Sequence, residues 1–265
     1  MTAKLLWRLV IKNVMEVLEY RSAYFIYQIS NVAGPTISLL VWLTVSEQGV
    51  RLPYTRSQFV TYYVLLSIVV ILTSPRLAEW LADRIRLGDI SPWLLRPAPF
   101  ILGDIANVVG ERVVKVPLLV ALVGVVARWF RTDLHLPAAP HVWLLFGTSL
   151  LLAATVAFLI DFVLGSLAFW IADVHGLIRV KTLVGGFLAG EFLPLALFPR
   201  SSAGFLEAQP FRYTVSFPLE VLTGNLSAPA LLRGFMWQAT YCILFWGVYR
   251  LVWHFGVRAY SAAGT

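Results

Sequence analysis

Residues 142–172 read VWLLFGTSLLLAATVAFLIDFVLGSLAFWIA, and Asp161 is the only charged residue among them. The stretch contains no proline, so nothing in it removes a helical hydrogen bond. A helix of about 30 residues is longer than the hydrocarbon core of a bilayer, which is about 30 Å thick. The stretch therefore predicts a helix that crosses a membrane and projects beyond it.

The composition of the whole chain agrees with this prediction. Its 265 residues are 59% hydrophobic and 13% charged, and the mean hydropathy is +0.77. Soluble domains carry roughly 25% charged residues and could not bury so much apolar surface, whereas disordered chains are poor in apolar residues. We expect an all-α polytopic membrane protein, in which six spans of about 20 residues would use about 120 residues.

The apolar segments give the predicted arrangement of the chain. The predicted spans are residues 23–46, 59–81, 101–130, 142–172, 183–198 and 235–255. Residues 1–22 predict an amphipathic helix, because the charged side chains fall on one arc and the apolar ones lie opposite. Such a helix lies along the membrane surface, although an ordinary cytoplasmic helix packed on protein is the alternative. Residues 1–265 would form a single transmembrane domain.

The distribution of Lys and Arg predicts the orientation. If both termini are cytoplasmic, most of the 21 basic residues lie on the cytoplasmic side, in keeping with the positive-inside rule. The net charge of +7 is then explained by orientation and by contact with anionic lipid headgroups. We therefore expect membrane lipid, and no nucleic acid, among the binding partners.

We find no motif of an enzyme or of a metal site. The segment from Gly176 to Lys181 approaches a phosphate-binding loop but lacks the glycine before the lysine. The four histidines lie in different segments, and none is spaced to share a metal ion or to act as the base for a serine. We predict no catalytic residue, no metal site and no cofactor in this chain.

The polar segment between the second and third spans, residues 83–99, carries a short helix. Ser91 and Pro92 suit an N-cap and a first helical turn, and Pro97 ends the helix. The apolar side chains of Trp93, Leu94 and Leu95 would be free to dock in the groove of a partner protein. Packing of this helix on its own chain is the alternative.

The pattern of Gly88 followed by Leu94-Leu-Arg-Pro97 resembles the coupling-helix region of bacterial ABC type-2 permeases, in a branch with about 260 residues. Residues 190–199, 209–224 and 253–264 are similar to later segments of the same branch, and the four matches occur in the right order along the chain. Each motif alone is degenerate, but four in order are fairly specific.

This resemblance implies a fold, a location and a set of partners. It implies a re-entrant hairpin between spans five and six, at residues 199–234 on the outer side of a bacterial cytoplasmic (inner) membrane. It implies a second permease, identical or homologous, and separate ATP-binding cassette subunits that hold ATP and Mg. The residues expected to couple to that ATPase are Gly88, Asp89, Trp93, Leu94, Leu95, Arg96 and Pro97.

Charged residues in the third and fourth spans suggest ion pairs. Counted inward from the same outer loop, Asp161 and Arg112 lie at similar depth, so Asp161 is predicted to pair with Arg112 or Lys115. Glu111 and Lys115 are also i, i+4 neighbours. These residues form either a structural ion-pair cluster or a gating or substrate-cation site.

Three residues are candidates for the substrate path: Asn31, Glu191 and Phe192. Glu191 follows Gly185, Gly186 and Gly190, which permit close approach of another helix. An acid there would face the bundle interior, or would accept a hydrogen bond from backbone loosened by Pro194.

The function expected from the resemblance is ATP-driven export of a hydrophobic or amphipathic compound. Acids combined with aromatic rings would suit a cationic, drug-like substrate. The alternatives are a lipid or lipid-linked glycan exporter, and a proton-driven secondary transporter with Asp161 and Glu191 as carriers. A non-transporting assembly factor with the same docking helix is a further alternative.

Overall fold

A computed structural model describes residues 2–19, 21–49, 52–96, 99–224 and 226–260, and every regular element within these ranges is a helix. The α-helices are α1 Thr2–Glu19, α2 Arg21–Glu47, α3 Arg56–Thr73, α4 Leu77–Arg86, α5 Ser91–Leu94, α6 Ile101–Trp129, α7 Pro140–Ser166, α8 His175–Ala189, α9 Ala203–Ala208, α10 Ser216–Thr223 and α11 Ala228–Ala259. Short 3-10 turns cover Leu167–Phe169, Leu195–Leu197, Arg200–Ser202 and Pro210–Thr214.

Three segments of the described residues are long and apolar enough to cross a membrane. They are Tyr24–Glu47, Arg56–Arg86 and Pro140–Phe169. The helix α6 has 29 residues, but its N-terminal half carries several charges, and α8 has only 15 residues. The helix α8 begins at His175 and ends before Gly190, whose φ of 85° lies in the left-handed region, so it is shifted toward the N-terminus relative to the predicted span 183–198.

The predicted second span is broken into two helices. Helix α3 ends at Thr73 and α4 begins at Leu77, because Pro75 has no N–H to donate and Arg76 has a φ of 50°. The backbone N–H of Leu77 donates to Asp161 Oδ2 at 3.0 Å, which gives the free N-terminus of α4 an anionic acceptor. Asp161 of α7 therefore holds the start of α4.

Helix α1 crosses α6 at a glycine. A Cβ on Gly110 would lie 2.7 Å from Asn13 Cβ and 3.1 Å from the Val10 carbonyl oxygen, so only glycine permits this approach. Trp7 and Met15 on α1 remain about two-thirds exposed, at 65% and 66%. On the apolar side of α1, Trp7 is therefore open, but Val10 and Val17 are buried at 8% and 3% exposure, so only part of this side is available to lipid.

The core beneath the coupling segment is aromatic and centred on α7. The ring of Phe162 lies 4.8 Å from that of Tyr249 and 5.3 Å from that of Trp253, both on α11. A Cβ on Gly165 would meet the Ala78 carbonyl oxygen at 2.7 Å, so α4 packs directly on α7. This contact fixes α4, which leads into residues 83–99.

Within residues 199–234, where a hairpin is expected, residues 200–223 form short helices that pack back on the longer ones, and α11 begins at Ala228. Helix α10 contacts α7 and α3, and Phe217 and Leu219 on it are buried. The side-chain amide of Gln238 on α11 donates to the carbonyl oxygens of Ser149 and Tyr213, each at 3.0 Å. The segment is therefore well anchored to α7 and α11.

Candidate functional site

A cavity of about 300 Å³ lies among α2, α3, α4, α6, α7 and α8. It brings together six of the residues that the sequence singles out, although they come from three helices and one loop. These residues are Asn31, Glu111, Arg112, Lys115, Asp161 and Glu191. Four acidic and four basic side chains line it in all; the others are Arg76, Glu79 and Lys181. We call this space the central cavity.

The central cavity corrects the predicted partner of Asp161. Lys181 Nζ on α8 donates to Asp161 Oδ1 at 2.5 Å, while Asp161 Oδ2 accepts from Leu77. The prediction of a pair with Arg112 or Lys115 is wrong. Helix α8 begins at His175 and not near residue 183, so Lys181 lies on this helix and lines the central cavity next to Asp161. Both carboxylate oxygens are engaged, and the Asp161 side chain is only 4% exposed. Asp161 therefore joins α7, α4 and α8.

Arg112 is held by backbone carbonyls and not by an acid. Its Nε donates to the Leu72 carbonyl oxygen and its Nη1 to that of Val108, each at 3.0 Å. The Leu72 carbonyl belongs to the last turn of α3, where helical partners are lacking and a cation is favoured. Arg112 thus caps the C-terminus of α3 at the helix break.

Glu111 and Lys115 form the i, i+4 pair that their spacing suggests. Lys115 Nζ lies 2.6 Å from Glu111 Oε2 and 4.5 Å from the centroid of the Tyr24 ring. The Lys115 side chain is 10% exposed, so this charge is paired and covered by an aromatic face.

Gln28 is a functional candidate that the sequence analysis missed. It is fully buried, and its amide nitrogen donates to the Lys115 carbonyl oxygen at 2.9 Å. Its amide oxygen accepts from Asn31 Nδ2 at 2.7 Å, and the Asn31 carbonyl oxygen accepts from Ser67. Gln28 and Asn31 are i, i+3 neighbours in an apolar segment, and that spacing is the signal that could have found them. The network links α2 to α6 and α3.

Glu191 and Phe192 diverge after Gly190. Glu191 lines the central cavity, and within the described residues no basic group lies within 4 Å of its carboxylate. The ring of Phe192 packs on the α8 glycine Gly186 and on Phe187, and it does not line the central cavity. The left-handed turn at Gly190 reverses the chain, so adjacent side chains leave in different directions. Phe192 is therefore a packing residue of α8.

The coupling segment, residues 83–99, contains α5. Its tip at Leu95 is exposed, and its base at Trp93 packs on the rest of the chain. Leu95 is 87% exposed. Trp93 packs on α6, where a Cβ on Gly103 would lie 3.1 Å from its ring, and the Arg96 guanidinium lies 4.2 Å from the same ring. Pro97 lies outside the described residues. The tip is thus open to a partner, while Trp93 packs on its own chain.

Ser91 does not cap α5 as predicted. The N-cap of α5 is Ile90, which is fully buried, and Ser91 is the first helical residue. The Ser91 hydroxyl lies 2.9 Å from the hydroxyl of Tyr260 at the end of α11. The turn before it is made by Gly88, which has a φ of 85°. The serine therefore ties α5 to the C-terminal helix.

The chain matches the model of a family described as ABC-2 family transporter protein over residues 32–264. The chain belongs to this family. No curated protein matches its sequence. The permease is thus a membrane protein of a family that typically works with ATP-binding subunits. Among its described residues, no three metal-ligating side chains gather at one place.

The coupling segment of the permease is anchored through Arg84. Its Nη1 donates to Asp104 Oδ1 on α6 at 3.1 Å, and the Asp104 side chain is completely buried. The Arg84 guanidinium also lies 4.3 Å from the Trp80 ring centroid, 4.8 Å from that of Phe100 and 5.5 Å from that of Trp93. One cation therefore joins α4, α5 and α6 beneath the exposed tip.

Two helices of the permease that border the central cavity leave apolar faces uncovered. Only 11% of the apolar window of α2 is buried, against 44% for the window on Pro140–Phe169. Ile26 and Ile37 on α2 are 67% and 61% exposed, and Val180 and Leu183 on α8 are 58% and 59% exposed. The central cavity therefore lies between two helices that could accept a partner or lipid.

Proposed function

We propose that this permease is the membrane-spanning subunit of an ATP-driven ABC exporter. Six spans would cross a bacterial inner membrane with both termini in the cytoplasm. Residues 199–234 would form the re-entrant hairpin on the outer side. The close packing of these short helices on α7, α10 against α7 above all, supports a folded outer segment and not a free loop.

The central cavity is the observation that carries this proposal. It sits between the uncovered faces of α2 and α8, and a second permease, identical or homologous, would close it from that side. Glu191 lacks an ion-pair partner within the described residues, and the ring of Tyr27 lines the same wall. Because the Arg76 guanidinium already covers the Tyr27 ring, the carboxylate of Glu191 is the group that would favour a hydrophobic or amphipathic cation.

The coupling segment would receive the movement of a separate ATPase. That subunit would bind ATP and Mg and hydrolyse the nucleotide. Leu95 offers an exposed apolar contact, and the Arg84–Asp104 pair connects the base of the segment to α6. Closure of the ATPase would therefore be transmitted through α5 to α4 and α6, which line the central cavity.

The test is affinity purification of the permease from its native membrane with mass spectrometry of the proteins that accompany it. We expect an ATP-binding subunit with the wild-type chain and its loss with Leu95→Asp. Leu136→Asp is the matched control, because Leu136 is an exposed leucine in the loop between α6 and α7, at the end of α6 opposite to the coupling segment. An ATPase that is absent from the wild-type sample, or retained by Leu95→Asp, would overturn the coupling proposal.

Transport of a lipophilic organic cation into inverted vesicles tests the substrate class. We expect ATP-dependent uptake that Glu191→Gln reduces and Glu79→Gln leaves unchanged, because Glu79 is an exposed acid on the rim of the same cavity. Uptake of a lipid or a lipid-linked glycan instead would place the permease with exporters of those compounds. Uptake that needs a proton gradient and no ATPase would favour the secondary transporter.

A further inference from the structure

A second and larger space lies on the other side of the α3–α4 break. It has a volume of about 900 Å³ and runs among α1, α4, α5 and α6. We call it the α1 groove. It shares a wall with the central cavity, formed by Tyr27, Pro75, Arg76, Glu111 and Lys115. The two spaces differ in charge: the central cavity has equal numbers of acidic and basic side chains, whereas the α1 groove has more basic than acidic ones.

Five basic and two acidic side chains line the α1 groove. The basic residues are Lys12, Arg76, Arg84, Arg96 and Lys115. Arg84 and Lys115 are paired with Asp104 and Glu111. Arg76 and Arg96 have no acid within 4 Å among the described residues, and each guanidinium rests on an aromatic ring, Tyr27 at 4.5 Å and Trp93 at 4.2 Å. The groove therefore holds two stacked cations that lack an anion.

Arg76 is also held in an unfavourable backbone conformation. Within the described residues it is the only residue other than glycine with a positive φ, at 50°. A left-handed conformation costs an ordinary residue on the order of 1 kcal/mol, and such positions cluster at ligand sites. The conformation places Arg76 at the edge between the α1 groove and the central cavity.

The α1 groove lies at the depth of lipid headgroups. From Gly110, where α1 crosses α6, to Trp129 at the other end of α6 the helix rises by about 28 Å, close to the thickness of the hydrocarbon core. The crossing therefore lies near one boundary of the core. Trp80 lines the groove and is 41% exposed, and tryptophan is enriched at this boundary.

We infer that the α1 groove binds the phosphate-bearing headgroup of an anionic phospholipid. Arg76 and Arg96 would neutralise the phosphate, since basic pockets between helices at the cytoplasmic boundary take such headgroups. The acyl chains would leave the groove past Trp80, which lines it and is 41% exposed. The inference rests on the proposed function only for the choice of membrane leaflet: the lipid would come from the cytoplasmic leaflet if both termini are in the cytoplasm.

Native mass spectrometry of the permease, purified with its accompanying subunits in a neutral detergent, tests this inference. The added lipids are short-chain phosphatidylglycerol and short-chain phosphatidylcholine. We expect tighter binding of phosphatidylglycerol, and a Kd raised about fivefold by Arg76→Gln and by Arg96→Gln, as expected for loss of about 1 kcal/mol per basic residue. Arg8→Gln is the matched control, because Arg8 is an exposed cation of α1 that does not line the groove.

Three outcomes would overturn the inference. They are equal binding of the two lipids, an equal effect of Arg8→Gln, and displacement of phosphatidylglycerol by an equal concentration of free glycerol phosphate. The last would assign the groove to a soluble phosphate ester. If Arg76→Gln fails to fold, the exposed Arg96 carries the test. Loss of the ATPase or of transport does not affect this readout, so failure here is distinct from failure of the proposed function.

Discussion

Asp161 and Asp104 are both buried carboxylates that contact a basic side chain, yet the two sites are built differently. Asp161 uses both oxygens, one on Lys181 and one on the N–H of Leu77. Asp104 uses one oxygen on Arg84, and its Oδ2 is buried without a hydrogen-bond partner among the described residues. The first is a complete junction of three helices, and the second is a single bond beneath the coupling segment.

The difference lies in what each basic side chain and its neighbours lose when the acid is removed. Releasing Asp161 would leave a cation and a helix terminus without partners in the same place, which is costly in a low dielectric. Releasing Asp104 leaves Arg84 with three aromatic faces at 4.3 to 5.5 Å. Arg84 therefore keeps its aromatic contacts when this bond breaks, although the completely buried Asp104 is then left without a partner.

The largest expected effect is that of Asp161→Ala. We expect a loss of about 3 to 5 kcal/mol of stability, because Lys181 is left as an unpaired, largely buried charge and the start of α4 loses its acceptor. Thermal unfolding in detergent measures it. Asp161→Asn should lose less, since an amide oxygen can still accept from Leu77. If Asp161→Asn keeps full stability and loses transport alone, Asp161 is not the structural junction described above.

Asp104→Asn should be milder than Asp161→Ala. The amide oxygen can still accept from Arg84 but carries no charge, so we expect a loss of about 1 kcal/mol, the difference between a hydrogen bond to a charged group and one to a neutral group. The same unfolding assay checks the order of the two effects. A loss larger than that of Asp161→Ala would reverse the comparison between the two buried acids.

Two glycines of α6 allow a test of the coupling side by packing alone. A Cβ on Gly103 would press on the Trp93 ring at 3.1 Å, whereas Gly124 has nothing within 4 Å. Ala for Gly in an open helical position gains up to about 1 kcal/mol. We expect Gly124→Ala to be stabilising and Gly103→Ala to gain less and to weaken ATPase coupling. Equal effects on stability and coupling would show that Trp93 is not held against α6.

The smallest expected effect concerns an exposed carboxylate, Asp173, in the link between α7 and α8. The hydrogen bond from the His175 backbone N–H, and then the one from its ring, lowers the pKa of Asp173 below its usual value of 3.8. A lowered pKa stabilises the fold above about pH 4, and this stabilisation is lost as the pH falls through the lower, folded pKa.

Thermal unfolding of the wild type and Asp173→Asn across pH 3 to 7 measures that effect. We expect a small advantage of the wild type above pH 4 that shrinks at lower pH. Asp173 is fully exposed, so solvent screening keeps the effect below those of the two buried sites. An advantage that grows as the pH falls would contradict the assigned hydrogen bonds.

The helical character of the chain and three of the apolar spans could be predicted from the sequence, because they depend on local periodicity. The residues around the central cavity could also be selected, since polar groups within apolar segments stand out. The partner of Asp161 could not, because it depends on where α8 begins. The position of the Phe192 side chain depends on the left-handed turn at Gly190, and the hydrogen bonds of Arg112 depend on the helix break at Pro75. Turns and breaks of this kind cannot be predicted by locating apolar spans in the sequence.

The crossing at Gly110 couples the tilt of α6 to the depth of α1. Because the two backbones meet without an intervening side chain, the helices cannot slide apart without losing that contact. In a thinner bilayer α6 must tilt, and α1 then has to change its angle to the surface, carrying one wall of the α1 groove with it. Bilayer thickness would therefore set the resting shape of the permease, as a mechanical input separate from nucleotide and substrate.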